Sequence, residues 1–256
     1  MKSIGLTHHQ LANEFVELKQ TEVKRTVGWG KYVCWNPDAG YWQIDESELI
    51  RDMIRWDLDA TAEKLDEKPP KRRLRQTGTI SSVERIIRAD QRLVVAPDLW
   101  DPDPMLLNTP SGVIDLISGE LHPHNPNYFM TKQTSVGIGG SCPKWLAFVN
   151  QIADSNKDLV SFLKRMAGYA LTGNTSEHAM FFLYGTGGNG KSVYLNTVAS
   201  ILGDYAKTSA MEVFTASNSD RHPTELAMLQ GSRLVIAQET EEGRRWAENR
   251  IKALTG

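Results

Sequence analysis

The chain has 256 residues, 40% hydrophobic and 23% charged, with a formal net charge of −2, a composition ordinary for a soluble globular protein of one large domain or two smaller ones. No apolar run approaches the roughly 18 residues needed to span a bilayer and the N-terminus has no apolar signal region, so the expectation is a soluble, cytoplasmic protein that makes no membrane contact. The near-neutral charge confines any nucleic-acid contact to local patches, and Cys34 and Cys142 lack metal-ligand spacing, which reads as thiols in a reducing compartment.

Taken in order, residues 7–19 carry Leu11, Phe15, Val16 and Leu18 at helical spacing. The aromatic stretch holding Trp29, Tyr32, Trp35, Tyr41 and Trp42 around "NPDAG" predicts two short strands joined by a hairpin. A helix over about 46–64 is broken by Pro69 and Pro70, beside the basic run Lys71, Arg72, Arg73 and Arg75. Ser81 with Glu84 reads as a capping box opening a helix that contains Ile86 and Ile87. Residues 91–140 are turn-rich, with small strands such as "VIDLI". Two helices follow. Pro143 opens the first, with Trp145, Phe148 and Ile152 on one face; Asn156 caps the second, with Leu159, Leu163 and Met166 aligned, and Gly173 ends it.

The stretch "MFFLYGTGGNGKSVYLNTVASILGDY" carries the most chemistry. Residues 179–184 predict a strand and residues 191–202 a helix with Val193, Val198, Ile201 and Leu202 as core positions. Between them Gly185, Thr186, Gly187, Gly188, Asn189, Gly190, Lys191 and Ser192 fit G-x-x-x-x-G-K-[ST], with strand and helix on the sides the motif requires. Glycines let backbone N–H groups curl around phosphate, and the helix N-terminus adds partial positive charge. Lys191 would reach the β- and γ-phosphates of ATP and the Ser192 hydroxyl would ligate Mg2+. A glycine-rich turn that binds nothing is the alternative.

A magnesium-nucleotide site also needs a carboxylate on a neighbouring strand. "RLVIAQETEE" supplies a strand over 234–237 followed by Glu239, Glu241 and Glu242. Glu239, at the strand's carboxyl end, is the candidate for metal or water; Glu241 and Glu242 are read either as water-orienting groups or as an acidic first helical turn. Pro223 to Gly231 suggests a short helix before this strand, and Arg244 and Arg245 the start of one after it. Other readings favour structure over chemistry. His122 and His124 read as surface polarity more than metal ligands, the tryptophans and tyrosines of 29–42 as core more than base-stacking platforms, and "KRRLR" equally as solvated charge or phosphate contacts.

The segments "LNTPSGVIDLISGELHPHNP", "CPKWLAFVNQI", "MAGYALTGNTSEHAMFFLYGTGGNGKS", "TELAMLQGSRLVIAQETEEG" and "IKALTG" resemble the phage/plasmid primase-helicase family, which includes satellite-phage replication proteins and the poxvirus-type helicase. The similarity runs from about Leu11 to the last residue. It implies a mixed α+β, largely helical accessory domain over 1–173 and, over 174–256, an incomplete α/β P-loop (AAA+-like) ATPase core of superfamily 3 type. Gly185 to Ser192 then correspond to the Walker A loop and Glu239 to the Walker B acid, with Glu241 or Glu242 activating water; Lys252 would lie near DNA. The resemblance implies ATP and Mg2+ as cofactors, one DNA strand in a ring channel as partner, and a homo-hexamer in a phage-infected or plasmid-bearing bacterial cell. Set against that family, the expectation is a chain cut at Gly256 before the sensor motif and arginine finger, with weak hydrolysis, and with no primase catalytic domain ahead of the accessory part. The implied function is an ATP-dependent replicative DNA helicase, with a non-catalytic nucleotide- or DNA-binding regulatory fragment as the alternative. A small-molecule P-loop kinase would need an acceptor pocket and a lid that the sequence does not offer.

Overall fold

The computed structural model describes residues 6–65, 68–216, 228–238 and 245–255, and divides into two compact units of mixed α and β structure with small sheets. The first comprises residues up to 102 together with 125–131; the second comprises 103–124 and the described residues from 132 onward.

In the first unit, a helix α1 (His8–Lys19) leads to strands β1 (Val23–Thr26), β2 (Tyr32–Asn36) and β3 (Tyr41–Ile44). The helices α2 (Leu49–Glu63), α3 (Lys68–Leu74) and α4 (Thr77–Arg88) follow, then a short β4 (Val94–Val95). The sheet order is β3-β2-β1-β4, antiparallel except for the β1–β4 edge. Side chains alternate across this sheet. Val23, Tyr32 and Cys34 face the helices and pack with Leu11, Phe15, Ile54, Leu58 and Ile87. Val33 and Trp42 point the other way, into a layer with Val95, Trp100, Trp35 and Phe129.

That second layer is covered by residues 125–131. Trp42 donates from its backbone N to Met130 O (2.8 Å) and from Nε1 to Pro126 O (2.9 Å), while its ring stacks on Phe129 at 6.2 Å. Buried Trp100 donates from Nε1 to Thr26 Oγ1 at 2.6 Å. The aromatic stretch is therefore mainly core, as composition suggests. Tyr32 and Trp42 are buried and Trp35 and Tyr41 partly so, while Trp29 is exposed, stacked on Trp100 at 6.1 Å.

Several boundaries differ from those expected. Ser81 does not open a helix: α4 starts at Thr77, and Glu84 forms an ion pair with Arg51 instead of capping. The helical register of Thr79, Val83 and Ile87, all buried, overrides the local Ser–Glu signal. A complete capping box occurs in α1, where Thr7 Oγ1 accepts from Gln10 N and Gln10 Oε1 from Thr7 N. Pro69 and Pro70 fall in the first turn of α3, where a missing N–H costs nothing.

In the second unit a meander of β5 (Leu106–Thr109), β6 (Gly112–Asp115) and β7 (Leu121–His122) precedes α5 (Pro143–Ile152), α6 (Lys157–Tyr169) and α7 (Lys191–Leu202). Asn156 caps α6, its Oδ1 accepting from Asp158 N and Leu159 N. The strands β8 (Ala206–Ala210) and β9 (Leu234–Gln238) pair in parallel, Ala206 opposite Leu234 and Ala210 opposite Gln238. A last helix, α8 (Glu248–Thr255), starts three residues later than Arg245. Of the helix expected from Pro223 to Gly231, residues 228–231 form a turn, and its earlier residues and Arg244 lie outside the described residues.

The core of this unit joins Leu107 and Val149 to Leu163, Met166, Tyr194, Val198, Leu202 and Tyr205. α5 and α6, grouped by sequence with the accessory segment ending at 173, thus pack with α7 in one body. The strand expected over 179–184 makes no ladder among the described residues: β8 and β9 pair with each other, and Met180, Phe181, Phe182 and Tyr184 are exposed. Arg233 fixes the start of β9. It donates to Leu171 O and Leu106 O, with its guanidinium 4.4 Å from the Tyr205 ring centre.

Two outcomes follow from this packing. Thr26→Val keeps the volume but removes the acceptor of Trp100, so the first unit should lose about 1–3 kcal/mol, read as a lower urea midpoint by tryptophan fluorescence. Burial, with a smaller contribution from Asp45, pushes the Cys34 thiol up to about 12, whereas Cys142 is exposed. At pH 8 a thiol reagent should therefore titrate one cysteine in the folded chain and both in denaturant, and Cys142→Ser should abolish the native reaction.

Candidate phosphate-binding loop

Residues 185–190 link the unpaired segment to α7. Gly185 (φ 144°), Gly188 (φ 76°) and Gly190 (φ 84°) all occupy the left-handed half of backbone space that favours glycine. At two of them space is also limiting. A β-carbon on Gly185 would lie 2.6 Å from Asn189 Nδ2, and one on Gly190 would lie 2.5 Å from Ile152 Cγ2 and 3.3 Å from the Phe148 ring. The last glycine of the loop is thus pressed against α5.

Gly190 is the N-cap of α7 and no side chain caps that end, so the first-turn N–H groups and the positive end of the helix dipole face the loop. Lys191 opens the helix. Its Nζ donates to Asn189 Oδ1 (2.7 Å), Gly185 O (3.1 Å) and Thr186 O (3.4 Å), which curls the side chain back over the loop. Ser192 follows on the first turn and is exposed, as are Thr186, Gly187 and Gly188. These contacts join Gly185, Thr186, Asn189 and Lys191.

α7 is anchored through one face only. Tyr194, Val198 and Leu202, spaced by four, are buried, while Val193 and Ile201 are exposed, contrary to their reading as core positions. The neighbours decide this: Trp145 stacks on Tyr194 at 5.4 Å, and Tyr194 Oη donates to Leu163 O at 2.7 Å, drawing that stripe toward α5 and α6. Burial raises the Tyr194 hydroxyl above its ordinary range and keeps it a donor. The support given by Phe148 and Ile152 escaped sequence reading. Their i, i+4 spacing signals a buried face but not that a glycine is its partner.

The acidic half of the expected site is different. β9 ends at Gln238; Glu239, Glu241 and Glu242 lie outside the described residues. Lys252 is exposed on α8. In the basic run Arg75 pairs with Asp59 and Glu63, which assigns it to the α2–α3 packing and not to a free cationic patch. His124 Nε2 lies 2.8 Å from Thr109 O, and no metal-binding cluster occurs among the described residues. No helix among them is long and apolar enough to cross a membrane.

These features define a mixed α/β chain with small sheets in which a glycine-rich loop closes onto the N-terminus of a helix. The chain belongs to the D5 N-terminal-like family, the N-terminal domain of D5-like primase-helicase proteins of phages and poxviruses: the family model matches residues 12–154. That span takes in the first unit from Ala12 onward and runs through α5, including Phe148 and Ile152, and the glycine loop lies beyond it. A comparison with curated proteins finds no match.

Gly190→Ala should destabilise the second unit by about 2–4 kcal/mol, combining a left-handed non-glycine residue with overpacking. In the Ile152→Ala background Gly190→Ala should cost less, the steric share being removed and the backbone share kept, measured as unfolding midpoints of wild type, both single variants and the double variant.

Proposed function

We propose that residues 185–192 bind the phosphates of ATP and that the chain acts as part of a D5-like replicative helicase. In this reading the fold of the second unit is a P-loop, AAA+-like core of superfamily 3 type. Bound ATP would supply the free energy of terminal phosphoryl transfer for movement along one DNA strand through a homo-hexameric ring. The observation that carries the reading is the curl of Lys191 over a glycine loop closing on the uncapped start of α7.

The residues present suit the group. Three glycines with positive φ carry no β-carbon in the loop, and an ammonium and a helix N-terminus supply positive charge where an anion would sit. Lys191 would hold the β- and γ-phosphates, and Ser192 would contribute a hydroxyl to Mg2+ with Glu239. Glu241 or Glu242 would orient water. The described hydrogen-bond partners of Lys191 are all neutral.

Titration of the full chain with a fluorescent ATP analogue and Mg2+ tests the assignment. Wild type should bind in the micromolar range, about −8 kcal/mol, and Lys191→Ala should weaken binding by about tenfold or more, since a hydrogen bond to a charged group is worth about 1.5–3 kcal/mol. Equal binding by wild type and Lys191→Ala would remove the loop from the function.

A further inference from the structure

An ammonium can donate three hydrogen bonds, and three oxygens take those of Lys191: Gly185 O, Thr186 O and Asn189 Oδ1. All three are neutral. Two are backbone carbonyls, fixed by the loop's own path. The third, and the shortest contact at 2.7 Å, is the carbonyl of a side-chain amide that can rotate away. A phosphate oxygen that engages Lys191 must take over one of these donors, and the loop can yield the amide without altering its backbone.

Asn189 is also lodged against the opposite limb of the loop. Its Nδ2 stands where a β-carbon on Gly185 would be, at 2.6 Å, so one planar amide spans from residue 185 to the ammonium. The position of that amide therefore depends on both limbs keeping their shape, with Gly185 bare.

Building on the phosphate-binding reading, we infer that Asn189 is a positioning residue that competes with phosphate for Lys191: it holds the ammonium over the loop and gives up its place when a polyphosphate enters. An anionic oxygen is a stronger acceptor than an amide oxygen, so exchange favours the phosphate, although the hydrogen bond between Lys191 and Asn189 must break first. Removing the amide should lessen that cost. A carboxylate at the same position should increase it, because it would pair with Lys191 as an ion and repel the incoming anion.

The full chain, its N189A variant and its N189D variant are titrated calorimetrically with MgATP, pyrophosphate and AMP. N189A should bind MgATP and pyrophosphate about threefold to tenfold more tightly, and N189D about tenfold or more weakly, the scale set by exchanging one charge-assisted hydrogen bond. AMP, which lacks the phosphates Lys191 would reach, should respond to neither change. Matching circular dichroism and unfolding midpoints establish that the variants fold. Weakening by both substitutions, or AMP affinity moving in step with MgATP, would show that Asn189 only shapes the loop and would overturn the inference while leaving the phosphate reading intact. Failure of wild type to bind either MgATP or pyrophosphate would overturn the phosphate reading and this inference with it.

Discussion

Ile152 and Phe148 stand where a β-carbon on residue 190 would have to go, so α7 can begin there only with glycine. The path of the preceding loop follows from this contact. Because Gly190 is pinned against α5 in a left-handed conformation, the helix axis is set by packing below the loop and not by a capping side chain above it. Lys191 can then fold back across residues 185–189, and among the described residues no side chain caps the first N–H groups of α7. Trp145 and Leu163 extend the same support one turn further by fixing Tyr194. The matched family segment ends just after α5, so its last helix is also the floor of the glycine loop.

The first unit solves a different problem. A four-stranded sheet with helices on one face exposes its other face unless something covers it. Here an aromatic layer and the returning residues 125–131 do so, with each buried indole N–H given an acceptor: Pro126 O for Trp42 and Thr26 Oγ1 for Trp100. Aromatic rings cover much area with few rotatable bonds, but only if their polar atoms are satisfied. Thr26, fully buried on the short β1, is where that condition meets the sheet.

How much of this could be read from sequence depended on how local its cause was. The hairpin of β2 and β3, the Asn156 cap and the Pro143 helix start were legible because turn and cap chemistry is carried by the residues themselves. Ser81 misled because a local cap signal competed with a longer-range apolar stripe, and the stripe governed. The glycine loop was legible as a motif, including all its positions from 185 to 192. Its dependence on α5 was not, since no spacing rule links residues 148 and 152 to residue 190. The apolar run 179–184 has the composition of a strand, but a ladder also needs a neighbour with a free edge in reach, which a single sequence window does not specify.

The stacking of Trp145 on Tyr194 has an optical consequence. Five of the seven tryptophans belong to the first unit, leaving Trp145 and Trp246 in the second. Trp145 lies 5.4 Å from a ring that sits three residues after Lys191, in nearly parallel orientation. Two aromatic chromophores held so closely couple their transitions, giving near-ultraviolet dichroism that depends on their mutual angle. The seam between α5 and α7 thus carries a built-in spectroscopic label for the start of α7, distinct from the dense indole signal of the other unit.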